Sequence, residues 1–223
     1  MAAIETPDDR LAAVRAAMAR AANVASRNVD EISLIAISKT KGVDEIAPLI
    51  AAGQKVFGEN RVQEAQDKWP RLIDPNLGLA LHLVGQLQSN KAADAVAMFD
   101  WIHSVDRLSL VAALARAQDK AGKRPRCFVQ VDIGEEMQKG GCAVGDLPAL
   151  LAEARTAEID VAGLMAVPPF DLEPAPYFAL LGKLARDNGL AGLSMGMSGD
   201  FETAIMLGAT HIRVGTALFG ARG

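Results

Sequence analysis

The 223-residue chain is 50% hydrophobic, enough to bury a large core, which excludes a disordered segment or a small disulfide-stapled scaffold. Its formal net charge of -4, from 23 Lys plus Arg against 27 Asp plus Glu without a basic block, disfavours a dedicated binder of nucleic acid or anionic membrane. Cys127 and Cys142 stand at neither a metal-ligand nor a redox spacing and read as reduced thiols of a cytoplasmic protein. Glu5, Asp8 and Asp9 precede any apolar run, the wrong order for a secretory signal, and no run approaches membrane-spanning length. Leu11, Val14, Met18 and Ala22 recur at helical spacing and predict an opening amphipathic helix. Short apolar or β-branched runs then predict eight strands, at 34–37, 55–57, 81–84, 101–103, 127–133, 161–167, 193–195 and 211–214. Helical patterns lie between them, clearest at Val111, Leu114 and Ala115 and at Tyr177, Leu180, Leu181 and Leu184. Pro48 falls inside the helix expected after the first strand, which predicts a late start or a kink.

Eight strands alternating with helices fit a single (β/α)8 barrel domain over 1–223 with an added N-terminal helix; an open doubly wound sheet is the alternative. Closure sets the eighth strand beside the first, and so sets Lys39, at the tip of the run Leu34-Ile35-Ala36-Ile37, beside the strand of Arg213. Phosphate sites of such barrels commonly use the loops after strands seven and eight and a short extra helix. Here those loops are Ser198-Gly199 and Gly215-Thr216, with 217–220 as the short helix. A lysine amine at a strand tip and small-residue loops suit an aldehyde held by its phosphate, for which pyridoxal 5'-phosphate is the best candidate. Lys41 shares a strand face with Lys39 if the strand continues, and periodicity does not choose between them. Ser198 suits a cap for the helix of Phe201, Ala204 and Ile205, a role compatible with phosphate binding. His82 is a candidate contact, although a lone histidine is more often a hydrogen-bonded core residue, the reading given to His103 and His211. No metal-site spacing, Walker loop or dinucleotide glycine signature is present.

Several blocks in order carry a more specific signal: 36–41 around Lys39, Phe57-Gly58-Glu59-Asn60, 82–91 from His82 to Lys91, 193–198 ending in Gly196-Met197-Ser198, and 213–220 from Arg213. With these blocks the chain resembles the pyridoxal phosphate homeostasis protein family, whose fold is similar to the N-terminal barrel of alanine racemase. The resemblance implies that Lys39 forms a Schiff base with pyridoxal phosphate and that Ser198, Gly215 and Thr216 contact its phosphate. It also implies that Arg213 lies near the pyridine nitrogen and that Asn60 makes a polar contact on the ring side, unless Asn60 instead caps the helix that follows it. Gly42 and Asp132 depart from the family's usual proline and asparagine. An arginine at the pyridine nitrogen disfavours its protonation and so disfavours strong electron-sink chemistry. A racemase needs two acid-base groups on opposite faces of the substrate, and the opposing tyrosine of alanine racemase comes from an additional domain of a partner subunit. This chain runs to Gly223 without such a domain, and its single tyrosine, Tyr177, falls on a predicted outer helix. The expected function is therefore reversible holding of pyridoxal phosphate for vitamin B6 homeostasis and supply to apo-enzymes. A weak amino-acid racemase and a Schiff-base enzyme acting on a sugar phosphate stay open as alternatives, as does the choice between monomer and homodimer.

Overall fold

The computed structural model describes residues 6–136 and 140–220. Glu5, and the ends of the 1–223 domain expected from sequence, lie outside the described residues. Among the described residues, β1 (Ser33–Ile37), β2 (Val56–Glu59), β3 (Ala80–Leu83), β4 (Trp101–Val105), β5 (Arg126–Gln130), β6 (Val161–Met165), β7 (Gly192–Ser194) and β8 (His211–Val214) pair in parallel in chain order. Ser33, Leu34, Ile35 and Ala36 of β1 stand opposite His211, Ile212, Arg213 and Val214 of β8, so the sheet is a closed barrel and the open-sheet alternative is excluded. The strands are largely buried on both faces because one face meets helices and the other meets the barrel interior.

The helices are α1 (Pro7–Val24), α2 (Val43–Ala51), α3 (Val62–Lys68), α4 (Ala92–Met98), α5 (Leu108–Ala121), α6 (Leu147–Thr156), α7 (Ala175–Asp187), α8 (Phe201–Met206) and α9 (Thr216–Phe219). Reciprocal hydrogen bonds between Thr6 and Asp9 close the N-terminus of α1, and Leu11, Val14, Met18 and Ala22 are buried along it. That face packs on α8 and α9. Arg10 Nε donates to Leu218 O at 2.7 Å, and Arg27 Nη1 donates to the carbonyls of Ile205 and Ala209. The added helix thus braces the two short helices that flank β8.

Three details depart from expectation. The fifth strand stops at Gln130: Val131 N–H still donates to Met165 O, but Val131 is bridged to Cys142 instead of continuing the strand pairing. On α7 the buried positions are Phe178, Leu181, Gly182 and Ala185, so the expected stripe is displaced and Leu180 is exposed. Helix α2 runs through Pro48, which forfeits one backbone bond, while the Glu45 carboxylate accepts from Gly42 N–H and closes the first turn.

The barrel interior is aromatic rather than aliphatic. The rings of His82 and His211, on the non-adjacent β3 and β8, lie 6.1 Å apart, which only a shared interior permits. Trp101 stacks on His82 at 5.3 Å, and Phe128 lies 4.6 Å from His103 and 4.9 Å from His211. Gly192 on β7 makes room, since a Cβ there would sit 2.9 Å from the Phe128 ring, and Gly163 on β6 lets the β7 backbone approach, since a Cβ there would sit 1.9 Å from Gly192 O. Burial pushes His82 and His103 well below the usual histidine range, and burial with Arg126 and Arg213 pushes His211 down to about 4.

All three histidines are therefore neutral in the folded state, whereas the unfolded chain takes up their protons below about 6.5. The histidine contribution to stability should be level above pH 6.5 and fall as pH drops, by about 1.4 kcal/mol per pH unit for each histidine. The His211 share levels off near pH 4. Urea unfolding between pH 7 and about 5, where few carboxylates titrate, checks this; an unchanged midpoint across that window contradicts it.

Candidate functional site

Ala36 stands opposite Val214, so the segments that follow β1 and β8 meet at one rim, the C-terminal end of the barrel. Lys39, Thr40 and Lys41 from one side and Gly215, Thr216 and Phe219 from the other line a shallow cleft with no acidic residue in its lining. The sequence reading left Lys39 and Lys41 on one face of a continuing strand. The strand instead ends at Ile37 and the chain turns at Lys39 and Thr40, with Thr40 in the left-handed region at φ 63°. Lys41 Nζ is bonded to Glu45 Oε1 at 2.9 Å and lies 5.9 Å from the centre of the Phe219 ring. The same contact, with Gly42 N–H, holds the Glu45 carboxyl below its ordinary range. Lys39 has no hydrogen bond or ion pair among the described residues, so the two amines are chemically distinct.

A buried ion pair fixes the turn from beneath. Lys68 Nζ lies 2.8 Å from Glu59 Oε1 and donates to Ser38 O at 2.7 Å and Lys41 O at 3.2 Å. These carbonyls bracket Lys39 and Thr40. Glu64, one helical turn before Lys68 on α3, accepts from both Lys68 and Thr40 N–H. Glu59 is fully buried and accepts from Ser38 Oγ and from Trp69 Nε1. None of Glu59, Glu64 or Lys68 was singled out from the sequence. The Glu64–Lys68 spacing was visible as a helical ion pair, but nothing local indicated that Lys68 turns inward.

On the facing side, Ser198 Oγ accepts from Gly215 N–H at 3.2 Å and ties the loop after β7 to the loop after β8. Ser198 does not cap α8: the cap position belongs to Asp200, whose carboxylate accepts from Met197 N–H. Gly215 opens α9, and the helix itself offers no acceptor to the N–H groups of Thr216 and Ala217. Gly199 lies in the same turn as Ser198 but faces a neighbouring groove with Phe170 and Met197. Asn60 follows β2 and packs its backbone against Gly85; Arg61, not Asn60, occupies the cap position of α3.

Arg213 projects into the barrel interior and is 5% exposed. Its Nη1 donates to Ser194 Oγ at 2.8 Å and its Nη2 to Ala166 O at 2.9 Å, and no carboxylate pairs with it among the described residues. Burial lowers it to about 10, opposed by Asp200, so it is a cation at neutral pH. His82 is not part of the cleft lining; its Nδ1 meets His103 Nε2 at 2.9 Å inside the barrel. His103 is hydrogen-bonded core, in line with its sequence reading, and it also reaches Ser194 Oγ.

The primary amine, the hydroxyls and free first-turn N–H groups, and the buried cation without a carboxylate form a donor set suited to an anionic aldehyde. A closed (β/α)8 barrel carrying that set at its C-terminal rim defines the class, and residues 10–223 match the alanine racemase N-terminal domain family. Among curated relatives, the pyridoxal phosphate homeostasis protein of Pseudomonas aeruginosa is 42% identical over 98% of this chain and 97% of its own. That of Escherichia coli (strain K12) is 38% identical over 95% of each chain. The solved structure of PipY from Synechococcus elongatus with pyridoxal phosphate bound is 40% identical, with a TM-score of 0.80 over 92% of this chain and 100% of that one. The chain belongs to the pyridoxal phosphate homeostasis protein family.

Replacing Lys68 by Met removes one partner of a buried pair and strands the Glu59 carboxylate. The expected loss is about 3–5 kcal/mol of folding stability, read from the midpoint of urea unfolding; a midpoint within error of the parent contradicts the account of the turn.

Proposed function

We propose that this chain is a cytoplasmic pyridoxal 5'-phosphate binding domain over 1–223 that holds the cofactor as a Schiff base on Lys39 and serves vitamin B6 homeostasis. The observation that carries the reading is the unpaired Lys39 amine, in an acid-free cleft, across from the Gly215-Thr216 turn. Family membership and the PipY relative with pyridoxal phosphate bound support the cofactor. When bound, pyridoxal phosphate supplies an aldehyde that condenses with amines. Ser198, Gly215 and Thr216 hold the phosphate through hydroxyl and N–H donors, and Gly199 belongs to the turn that presents Ser198. Arg213 faces the pyridine nitrogen, and Asn60 contacts the ring side. His82 acts at one remove, through the interior hydrogen bonds that lead to Arg213.

Holding rather than racemisation fits these residues. Arg213 is a cation and donates hydrogen bonds, so it does not favour a protonated pyridine nitrogen. Tyr177, the single tyrosine, lies on α7 packed against the hydrophobic core and offers no acid-base group opposite Lys39. Apo-enzymes are the expected recipients of the cofactor, with no role for nucleic acid or membrane, and both a monomer and a homodimer are compatible with this function. No helix among the described residues is long and apolar enough to cross a membrane.

Incubation with pyridoxal phosphate should give a long-wavelength imine absorbance band. Borohydride reduction and peptide mass mapping should then place a stable pyridoxyl group on Lys39, and Lys39→Ala should abolish both signals. An adduct on Lys41 would overturn the residue assignment. No adduct at all would overturn the cofactor reading and favour the sugar-phosphate alternative.

A further inference from the structure

We propose that Ser194, His103 and His82 form a one-way chain of hydrogen bonds that starts at Arg213 and positions its guanidinium for the cofactor's pyridine nitrogen. The positioning half rests on the pyridoxal phosphate reading above. The direction of the chain follows from what each group is able to donate. Arginine has no acceptor, so Arg213 Nη1 must give its hydrogen to Ser194 Oγ, 2.8 Å away. The second partner of that oxygen is His103 Nδ1, also at 2.8 Å, and Ser194 is fully buried. If His103 donated, the Ser194 hydroxyl proton would face no acceptor among the described residues, a costly state at a buried site. The hydroxyl therefore donates, and His103 accepts at Nδ1 and carries its proton on Nε2. That proton goes to His82 Nδ1 at 2.9 Å, which leaves His82 protonated on Nε2 as well. Burial keeps both rings neutral, as the chain requires.

The arrangement explains why a buried arginine has no carboxylate beside it. Ser194 Oγ and Ala166 O fix the tilt and rotation of the guanidinium with neutral acceptors, so its charge is left for a ligand acceptor instead of being cancelled within the protein. Ser194, His103 and His82 are thus positioning residues, acting on the ring site through Arg213.

The test begins on the protein without added cofactor. With three histidines in the chain, long-range 1H–15N correlation of 15N-histidine-labelled protein should resolve each tautomer, and His103 and His82 should both carry the proton on Nε2. A proton on Nδ1 of His103 overturns the chain. The second arm is Ser194→Ala, which removes only the hydroxyl. It should weaken pyridoxal phosphate binding roughly tenfold and shift the imine absorbance maximum while circular dichroism shows the barrel intact. Parental affinity and spectrum overturn the positioning role. If the variant does not fold, the tautomers of the parent protein still decide the chain. Failure of the parent to bind pyridoxal phosphate overturns the functional reading and leaves the tautomer result standing.

Discussion

Backbone pairing of Ser33 to Ala36 with His211 to Val214 joins the first and last strands, and each feature of the site depends on that seam. An open sheet would separate β1 and β8 by the width of the other strands; closure makes them neighbours and sets the loops that follow them side by side. Residues more than 170 positions apart, Lys39 and Gly215, thereby line one cleft. The seam is braced from outside by α1, whose apolar face packs on α8 and α9, with Arg10 within it bonded to Leu218 O and Arg27 just after it bonded to the carbonyls of Ile205 and Ala209. The helix added before the first strand is thus part of what holds the rim in place.

Two polar systems, on either side of β1, then give the rim its chemistry. Outside the barrel, Glu59 and Lys68 form a buried pair whose remaining donors hold the carbonyls around Lys39. Such a pair gains little net stability over an apolar replacement, so its value lies in fixing one conformation of the turn. Inside the barrel, Arg213, Ser194, His103 and His82 replace the branched aliphatic layers usual in this fold. Gly192 on β7 gives the Phe128 ring its space, and the hydrogen bonds from Arg213 through Ser194 and His103 to His82 Nδ1 offset part of the cost of burying these groups. The result is one amine left unpaired at the rim and one guanidinium held from within by neutral acceptors, neither paired with a carboxylate among the described residues.

The strands, the opening helix and the loops after β7 and β8 were legible in the sequence because periodicity and glycine placement are local signals. The positions of α7 side chains were less so: Tyr177, Leu180, Leu181 and Leu184 are helical in spacing, but which of them is buried depends on how the helix packs against β6, β7 and α8. Local propensity also offered two caps that the fold does not use, since Ser198 and Asn60 are good capping residues but Asp200 and Arg61 hold those positions. The distinction between Lys39 and Lys41 was legible only through family resemblance. Physically it depends on the left-handed Thr40 and on Glu45, Glu59 and Lys68, which come from α2, β2 and α3. His103 was read as core, correctly, but its bond to Ser194 depends on the register between distant strands.

The central claim is that the β1–β8 seam presents Lys39 and the Ser198, Gly215 and Thr216 donors to one molecule of pyridoxal phosphate. A crystal structure of the protein soaked with that cofactor tests it most directly. The account predicts continuous density from Lys39 Nζ to the cofactor's aldehyde carbon, the phosphate among Ser198, Gly215 and Thr216, and the pyridine nitrogen toward Arg213. Density joined to Lys41, or a phosphate bound away from those three residues, would contradict it.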